Sequence, residues 1–150
     1  MIAAFPGSFN PFHEGHMAIV KKMLPFVDKM YVLVMVNPKK FNKTELYNMT
    51  LLNNFQAVGK DNKPINQGSD KLEVVLYQGL LSDFCLKANV NVIINGLRNA
   101  TDFEKAQRQL YWNQDLGLKI PVLNLIAERQ YVHFNGESLR AVNRALKDKE

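Results

Sequence analysis

The chain has 150 residues, the size of one ordinary domain, and 47% of them are apolar. It can therefore bury a sizeable core and does not have the composition of a disordered segment. The formal net charge of +5, from 19 Lys and Arg against 14 Asp and Glu, suits an anionic ligand but could equally be ordinary solubilising charge. The basic residues form no dense block and do not alternate with aromatic residues, so we expect no nucleic-acid partner.

The cysteine content and the lack of a long apolar run predict the cellular compartment of the protein. The single cysteine, Cys85, excludes an internal disulfide and is typical of a reducing cytoplasm. Its apolar neighbours Leu81, Phe84 and Leu86 predict a buried thiol and not a nucleophile. We expect no signal peptide and no membrane partner, since no long apolar run is present. The expectation is a cytoplasmic protein with a single domain over residues 1–150.

Strand-like and helix-like segments alternate along the chain. In order, the predicted elements are a strand at 2–5, a helix at 16–24, a strand at 29–37, a helix at 44–58, a strand at 72–77, a helix at 80–87, a strand at 91–94, a helix at 101–117, a strand at 121–126 and a helix from 136. Thr101 and Glu104 match a capping box. The alternation predicts an α/β, Rossmann-like three-layer fold with a central, mostly parallel five-stranded sheet flanked by helices.

Two of the three histidines, His13 and His16, follow the first predicted strand. Gly7 and the pair Asn10-Pro11 predict a tight turn before them, and the apolar spacing after them predicts a helix. The histidines would then lie at a helix N-terminus, where free N–H groups and the macrodipole favour an anion. This placement favours phosphate chemistry.

Two other interpretations of the histidines remain open at this point. They could be surface or capping residues with a structural role only. They could also form half of a transition-metal site, since histidine is the commonest ligand of such metals. The one other histidine in the sequence is His133 and the one cysteine is Cys85, so a closed zinc site would need carboxylates.

Further candidate residues follow the other predicted strands. Polar segments occur at 37–40, at 95–98 and before Ser138. In open parallel sheets, ligands bind outside the carboxyl ends of the strands, near the switch in strand order. The sequence therefore predicts one site built from several loops at that edge.

The segment Gly-Ser-Phe-Asn-Pro-Phe-His-Glu-Gly-His at 7–16 resembles the signature of the nucleotidylyltransferase superfamily, with His-x-Gly-His at 13–16. Within that superfamily, Asn-Gly-Leu-Arg-Asn-Ala-Thr-Asp-Phe-Glu at 95–104 resembles the corresponding segment of the phosphopantetheine adenylyltransferases. The resemblance is strong at 2–24 and 91–113 and weak between 41 and 70. It implies transfer of AMP from ATP to 4′-phosphopantetheine, giving dephospho-coenzyme A and pyrophosphate by direct attack, with Mg²⁺ as cofactor.

The resemblance also implies roles for individual residues. By matching position, the implied catalytic residues are His16 and Lys40, the implied ATP-binding residues are Ser8, Phe9, His13, His16, Gly96, Arg98, Asp102 and Ser138, and the implied substrate-binding residues are Ser8, Lys40, Leu80, Leu81 and Asn95. Each has a plainer alternative. Ser8 could be a turn hydroxyl, Arg98 could form only a surface ion pair with Asp102, and the two leucines could belong to the core. Either Lys40 or the adjoining Lys39 could be the lysine that matches the family position.

Three residues depart from the pattern of the family. Asn95 stands where an arginine is usual, Ala106 where a glutamate is common, and Glu137 within a turn that is otherwise rich in serine. Two alternatives to the adenylyltransferase remain, the first suggested by Asn10-Pro11-Phe12-His13, which is closer to the nicotinate type, and the second by these three departures. One is another superfamily member, either a nicotinate-mononucleotide adenylyltransferase or a cytidylyltransferase, and the other is a non-catalytic nucleotide-binding homologue. The family further implies a homo-oligomer, a hexamer, in which the apolar residues at 110–112 could serve an interface or the core.

Overall fold

A computed structural model of the chain describes residues 1–9, 12–35, 71–131, 141 and 144–148. Several predictions fall outside these ranges. They are the helix at 44–58, the turn residues Asn10 and Pro11, the lysines Lys39 and Lys40, the third histidine His133, and Glu137 and Ser138.

A five-stranded sheet forms the centre of the described fold. Its strands are β1 (Ile2–Gly7), β2 (Lys29–Met35), β3 (Leu72–Tyr77), β4 (Val92–Leu97) and β5 (Val122–Ile126). They lie in the order β3-β2-β1-β4-β5, and every neighbouring pair is parallel. The predicted Rossmann-like sheet is thereby confirmed, because parallel neighbours need crossover connections and this order reverses direction once, between β1 and β4.

Three helices connect the strands in the described ranges. They are α1 (Glu14–Met23), α2 (Leu81–Lys87) and α3 (Ala100–Asp115), with short 3-10 turns at Leu24–Phe26 and Arg129–Tyr131 and further helix at residues 144–148. None of the helices found in those ranges is long and apolar enough to cross a lipid bilayer.

The capping prediction for α3 is wrong. The residue that caps this helix is Asn99, whose backbone is extended and whose side-chain oxygen accepts a hydrogen bond from the backbone N–H of Asp102 at 2.9 Å. Asparagine is among the strongest N-cap residues, and it stands two positions before Thr101. Thr101 is therefore already inside the helix, and its spacing to Glu104 does not form a capping box.

One hydrophobic cluster fills the space between α1 and the sheet. Alternate strand residues point to this face, among them Phe5, Val32 and Ile94, and α1 contributes Val20 and Met23. The side chains of Val32, Ile94 and Val20 are almost completely buried. Burying one such side chain contributes about 1.5–3 kcal/mol, so α1 is held firmly against β1, β2 and β4.

A second cluster lies on the opposite face of the sheet, under α2. It contains Leu33 and Ile93 from the strands, and Leu81 and Cys85 from α2. The buried thiol predicted at Cys85 is confirmed, because that residue is only 2% exposed.

Helix α3 contributes little to either cluster. Its buried residues are Ala106 and Asn113, whereas Tyr111 and Trp112 are exposed, Trp112 at 69%. The suggestion that the aromatic residues of this helix belong to the core of the chain is therefore wrong for Tyr111 and Trp112. Their face of the helix points away from the sheet.

Candidate active site

The switch in strand order places two loops side by side. One loop follows Gly7 at the end of β1, and the other follows Leu97 at the end of β4. These two strands are hydrogen-bonded neighbours. The loop that leads to His13 and the loop that carries Arg98 therefore leave the sheet at the same edge, and His16 lies in the first turn of α1.

The turn after β1 is shaped by Gly7 and Phe9. Phe9 has a positive φ of 47°, a conformation that is uncommon for residues other than glycine. Its ring lies over the preceding strand end, where a Cβ atom on Gly7 would come within 2.9 Å of the ring carbon Cζ. Gly7 is thus needed for close approach of the Phe9 ring.

The two histidines cap the helix that they begin. His13 is the N-cap residue of α1, and its Nδ1 accepts a hydrogen bond from the backbone N–H of Gly15 at 3.1 Å. In return, Nδ1 of His16 accepts from the backbone N–H of His13 at 3.2 Å. This reciprocal arrangement is a capping box made of two imidazoles, where Ser or Thr and Glu are usual. The structural interpretation of the histidines as caps is therefore correct, and it does not exclude a chemical role.

These hydrogen bonds fix the tautomer of both rings. A neutral imidazole carries its proton on one nitrogen and accepts with the other. Because both Nδ1 atoms accept, the proton of each neutral ring lies on Nε2. The two rings stack with centroids 3.7 Å apart and an angle of 25° between their planes. The pair thus provides two similarly oriented rings that each carry an Nε2–H donor.

Both histidines are held in the neutral form. Burial lowers the pKa of His13 to about 4, and the positive charge of Arg98 acts in the same direction. Burial likewise lowers the pKa of His16 to about 3, with further contributions from His13 and then Arg98. At neutral pH the rings can therefore donate hydrogen bonds through Nε2–H without carrying charge.

Arg98 contributes positive charge close enough to the histidines to affect their pKa values. Its Nε donates to Asp102 Oδ2 at 2.9 Å, and a terminal nitrogen donates to Oδ1 at 3.2 Å. The backbone N–H of Arg98 also donates to Oδ2, at 3.0 Å. This forked contact fixes the plane of the guanidinium.

Asp102 is thereby committed to Arg98. Burial alone would raise the pKa of Asp102, but the hydrogen bonds from Arg98 and the charges of Arg98 and Lys105 outweigh that effect and lower it. The ion pair with Asp102, which was the plainer alternative for Arg98, is present, and the Asp102 side chain is only 14% exposed. The phosphate-binding role of Arg98 stays a prediction. Because this pair is partly buried and bidentate, it is better ordered than an isolated surface pair.

The remaining described candidates lie in different surroundings. Gly96 faces α1, where a Cβ atom would come within 2.2 Å of Ile19 Cδ1, so its lack of a side chain serves helix packing. Asn95 lies on the opposite face of β4, and its amide donates to Asn124 Oδ1 on β5 at 3.5 Å. Ser8 is exposed beside the buried Phe9.

The two leucines differ from one another. Leu81 is 5% exposed and belongs to the cluster under α2, whereas Leu80 is 51% exposed. The core alternative thus holds for Leu81, and Leu80 remains available to a ligand. Leu81 thus lies in the cluster on the face of the sheet opposite α1, the helix that His13 and His16 begin.

A metal ion has no evident protein site in the part of the chain that the structure describes. No group of three or more His, Cys, Asp or Glu side chains there could hold one. The Asp102 carboxylate is engaged by Arg98, and the Nδ1 atoms of both histidines are engaged by the backbone. These residues do not fit a resident Mg²⁺ site made by the protein alone.

Sequence reasoning missed one aromatic residue of the site. Phe12 is 5% exposed, and its ring lies 5.2 Å from the ring of His16, between centroids. Phe9 also contacts His16, at 4.9 Å and nearly perpendicular. The available signal was the unusual density of phenylalanine around the histidines, with Phe5, Phe9 and Phe12 in eight residues.

The parallel sheet, with the histidine pair and Arg98 at the switch in strand order, has the usual architecture of a nucleotide-binding site. Comparison with known proteins identifies its class as a nucleotidyltransferase. A family model described as Cytidylyltransferase-like matches residues 4–141, nearly the whole chain. The crystal structure of the lipopolysaccharide core biosynthesis protein from Thermoplasma volcanium GSS1 superposes with a TM-score of 0.53. It covers 85% of this chain and 98% of its own at 14% identity, so the likeness concerns the fold.

Individual relatives identify the family within the nucleotidyltransferases. The phosphopantetheine adenylyltransferase of Leptospira biflexa is 31% identical over 143 residues, which cover 95% of this chain and 84% of the relative. That of Clostridium tetani is 33% identical over 141 residues, covering 94% and 82%. The chain belongs to the phosphopantetheine adenylyltransferase family.

Proposed function

We propose that the protein transfers AMP from ATP to 4′-phosphopantetheine, giving dephospho-coenzyme A and pyrophosphate. One structural observation supports this proposal most strongly. Two neutral imidazoles with Nε2–H donors lie within the electrostatic reach of an arginine fixed by Asp102, at the switch point of a parallel sheet. The relatives, which are named for this reaction, support the choice of substrates.

The reaction needs positioning more than covalent chemistry from the protein. A phosphate oxygen of 4′-phosphopantetheine attacks the α-phosphorus of ATP, a new P–O bond forms, and the bond to the β-phosphate oxygen breaks. Negative charge redistributes over the equatorial and leaving oxygens during this step. Donors that are already placed for that charge stabilise the transition state without reorganisation.

We assign the central contact to His16. Its Nε2–H would donate to an oxygen of the α-phosphate, while the adjacent His13 would donate to the triphosphate beside it. In the free protein both rings are neutral, so Arg98 would supply positive charge to the polyphosphate in the described part of the site. Lys40, or its neighbour Lys39, and Ser138 remain proposed phosphate contacts from the resemblance alone.

Further contacts with the substrates are proposed for Ser8, Phe9 and Asn95. Ser8 is exposed at the end of β1, where its hydroxyl and the backbone of Phe9 would bind phosphate oxygens. Asn95 would meet the acceptor through its amide, and Leu80 would line the pantetheine arm. Gly96 allows α1 to approach β4 and thereby sets the separation between the two loops.

Mg²⁺ would enter the site as part of the nucleotide substrate. This ion keeps much of its water shell and commonly binds through substrate phosphates. We therefore propose that it enters bound to the phosphates of ATP, where it would neutralise part of their charge. The histidine pair and Arg98 act on the oxygens that the ion leaves accessible.

We also propose an oligomer, a hexamer, working in the cytoplasm. The exposed Tyr111 and Trp112 on α3 are suited to contacts between copies, and the free, buried thiol of Cys85 is compatible with a reducing compartment. Light scattering coupled to size exclusion tests the assembly: a mass of six chains is expected, and a single-chain mass would contradict it.

The activity is tested by pyrophosphate release in a panel of substrates. ATP with Mg²⁺ is combined in separate reactions with 4′-phosphopantetheine, nicotinate mononucleotide and glycerol phosphate, and each acceptor is repeated with CTP. We expect release with ATP and 4′-phosphopantetheine, and formation of dephospho-coenzyme A in equal amount. Release with another pair would identify a different nucleotidyltransferase, and binding of ATP without release would identify a non-catalytic homologue.

A further inference from the structure

Three phenylalanine rings enclose the catalytic candidate His16. Phe9 meets it edge-on with centroids 4.9 Å apart at 89°, and Phe12 lies 5.2 Å away at 31°. Phe5 closes the arrangement at 6.3 Å. We refer to Phe5, Phe9 and Phe12 as the aromatic box.

The box is itself a packed unit. The rings of Phe5 and Phe9 are 5.2 Å apart, and those of Phe9 and Phe12 are 5.4 Å apart, both edge-to-face. Phe5, Phe9 and Phe12 are each 5% exposed or less. Edge-to-face pairs at such distances are worth about 0.5–1.5 kcal/mol beyond simple burial, so the box holds its shape without a ligand.

Hydrogen bonding alone does not fix the orientation of His16. One hydrogen bond from the backbone of His13 reaches Nδ1, and a single bond leaves the imidazole free to tilt about it. The stacked ring of His13 limits this tilt from one direction. A second wall is needed to hold Nε2 in one place.

We propose that Phe12 is a positioning residue for the adenylyl transfer, acting through His16 by holding its ring between the aromatic box and His13. The inference rests on the proposed function and adds a residue to it, since the ring of Phe12 contacts that of His16. Misplacement of a catalytic group by about 1 Å can reduce a rate about 100-fold. A partial loosening of the ring should therefore lower kcat more than it changes KM.

Phe12→Leu is the direct variant, because it removes the aromatic wall and keeps an apolar side chain. Phe84→Leu is the matched control. Phe84 packs in the cluster on the other face of the sheet, where it contacts Tyr31 and Tyr77 at 5.2 Å each. The same substitution there tests the cost of losing a phenylalanine away from the site.

Two measurements test the proposal. The ¹⁵N resonances of the His16 imidazole in the free protein report its tautomer and need no substrate. Steady-state kinetics then separate kcat from KM for ATP. For Phe12→Leu we expect a mixture of tautomers or a shifted His16 titration, and a kcat about tenfold lower with KM changed much less. For Phe84→Leu we expect a lower melting temperature, with the His16 resonances and kcat of the unmodified protein.

The outcomes are separable. Unchanged His16 resonances in Phe12→Leu would overturn the proposal, whether or not kcat fell. Absence of pyrophosphate release by the unmodified protein would overturn the proposed function instead, while the resonances would still test the positioning of the ring. If Phe12→Leu does not fold, Phe12→Met replaces it, because methionine is apolar and adapts to irregular space.

Discussion

Asp102 holds Arg98 by three hydrogen bonds, two from the guanidinium and one from the backbone. Asp102 lies in the first turn of α3, four residues after the arginine, and its backbone N–H donates to the side chain of Asn99. The helix cap and the arginine anchor thus share one residue, Asp102, the cap through its backbone N–H and the anchor through its carboxylate. The position of the charge facing the histidines depends on the first turn of α3.

Asp102→Asn should release the guanidinium while leaving a side chain of the same shape. Hydrogen bonds to charged groups are worth about 1.5–3 kcal/mol, and part of that energy is available for fixing Arg98. We expect kcat/KM for ATP to fall about tenfold or more. The control is Asp115→Asn, at the exposed end of the same helix, which should leave kcat/KM unchanged. Equal kinetics for the two variants would show that Asp102 serves only the helix.

The histidine pair makes stability depend on pH. The pKa of His16 is about 3 in the folded protein against 6.5 as its ordinary value, so as pH falls the unfolded chain takes up the proton first. The contribution is fully present above about pH 6.5 and is lost as pH falls towards 3. At pH 5 the loss from His16 alone should be about 2 kcal/mol of unfolding free energy. His13 acts in the same direction.

Urea unfolding at pH 7 and pH 5 measures this effect. In His16→Gln the side chain does not titrate, so the difference between the two pH values should be smaller than in the unmodified protein by about 2 kcal/mol. The same pH dependence in both proteins would show that His16 is not held neutral by burial.

The contact between Gly96 and Ile19 predicts a rescue. Gly96→Ala places a methyl group within 2.2 Å of Ile19 Cδ1, and such overpacking costs about 1–3 kcal/mol. Ile19→Val removes that Cδ1 atom, so the double variant should recover much of the loss. Gly117→Ala is the control: its φ of +87° makes alanine unfavourable although nothing crowds the position. Chemical denaturation that shows no rescue of Gly96→Ala would place the constraint elsewhere.

Cys85 should be chemically inert in the folded protein. Its side chain is buried under α2, and burial raises the pKa of the thiol to about 11. The thiolate is the reactive form, so alkylation by iodoacetamide at pH 8 should be slow until the protein is unfolded in urea. Rapid alkylation of the native protein would contradict the packing of this face.

The strands could largely be predicted from the sequence. The continuous apolar run in β2 is the pattern of a strand buried on both faces, and the alternation of strands with helices indicated a parallel sheet. Local signals were less decisive. Thr101 matched a capping pattern, but Asn99 two residues earlier forms the cap, because the backbone position of a cap depends on where the preceding strand ends.

The site was predictable in position more than in construction. The helix N-terminus at His13 and His16 follows from the turn and the apolar spacing after it. Their mutual capping does not, since histidine is not a usual partner in such boxes. The role of Phe12 depends on ring packing between the strand end and the helix, which no period in the sequence encodes. Strand alternation directs Gly96 toward Ile19 on α1, a packing constraint that the sequence pattern did not reveal, and its contact with the nucleotide stays a prediction.

The proposed mechanism of adenylyl transfer depends most directly on His16. The decisive measurement is kcat for pyrophosphate release from ATP and 4′-phosphopantetheine by the unmodified protein and by His16→Ala, with folding of the variant verified by circular dichroism. Removal of one donor that stabilises a transition state typically lowers kcat about 100- to 1,000-fold, and we predict a loss in that range. A folded His16→Ala protein that turns over at the unmodified rate would contradict the mechanism.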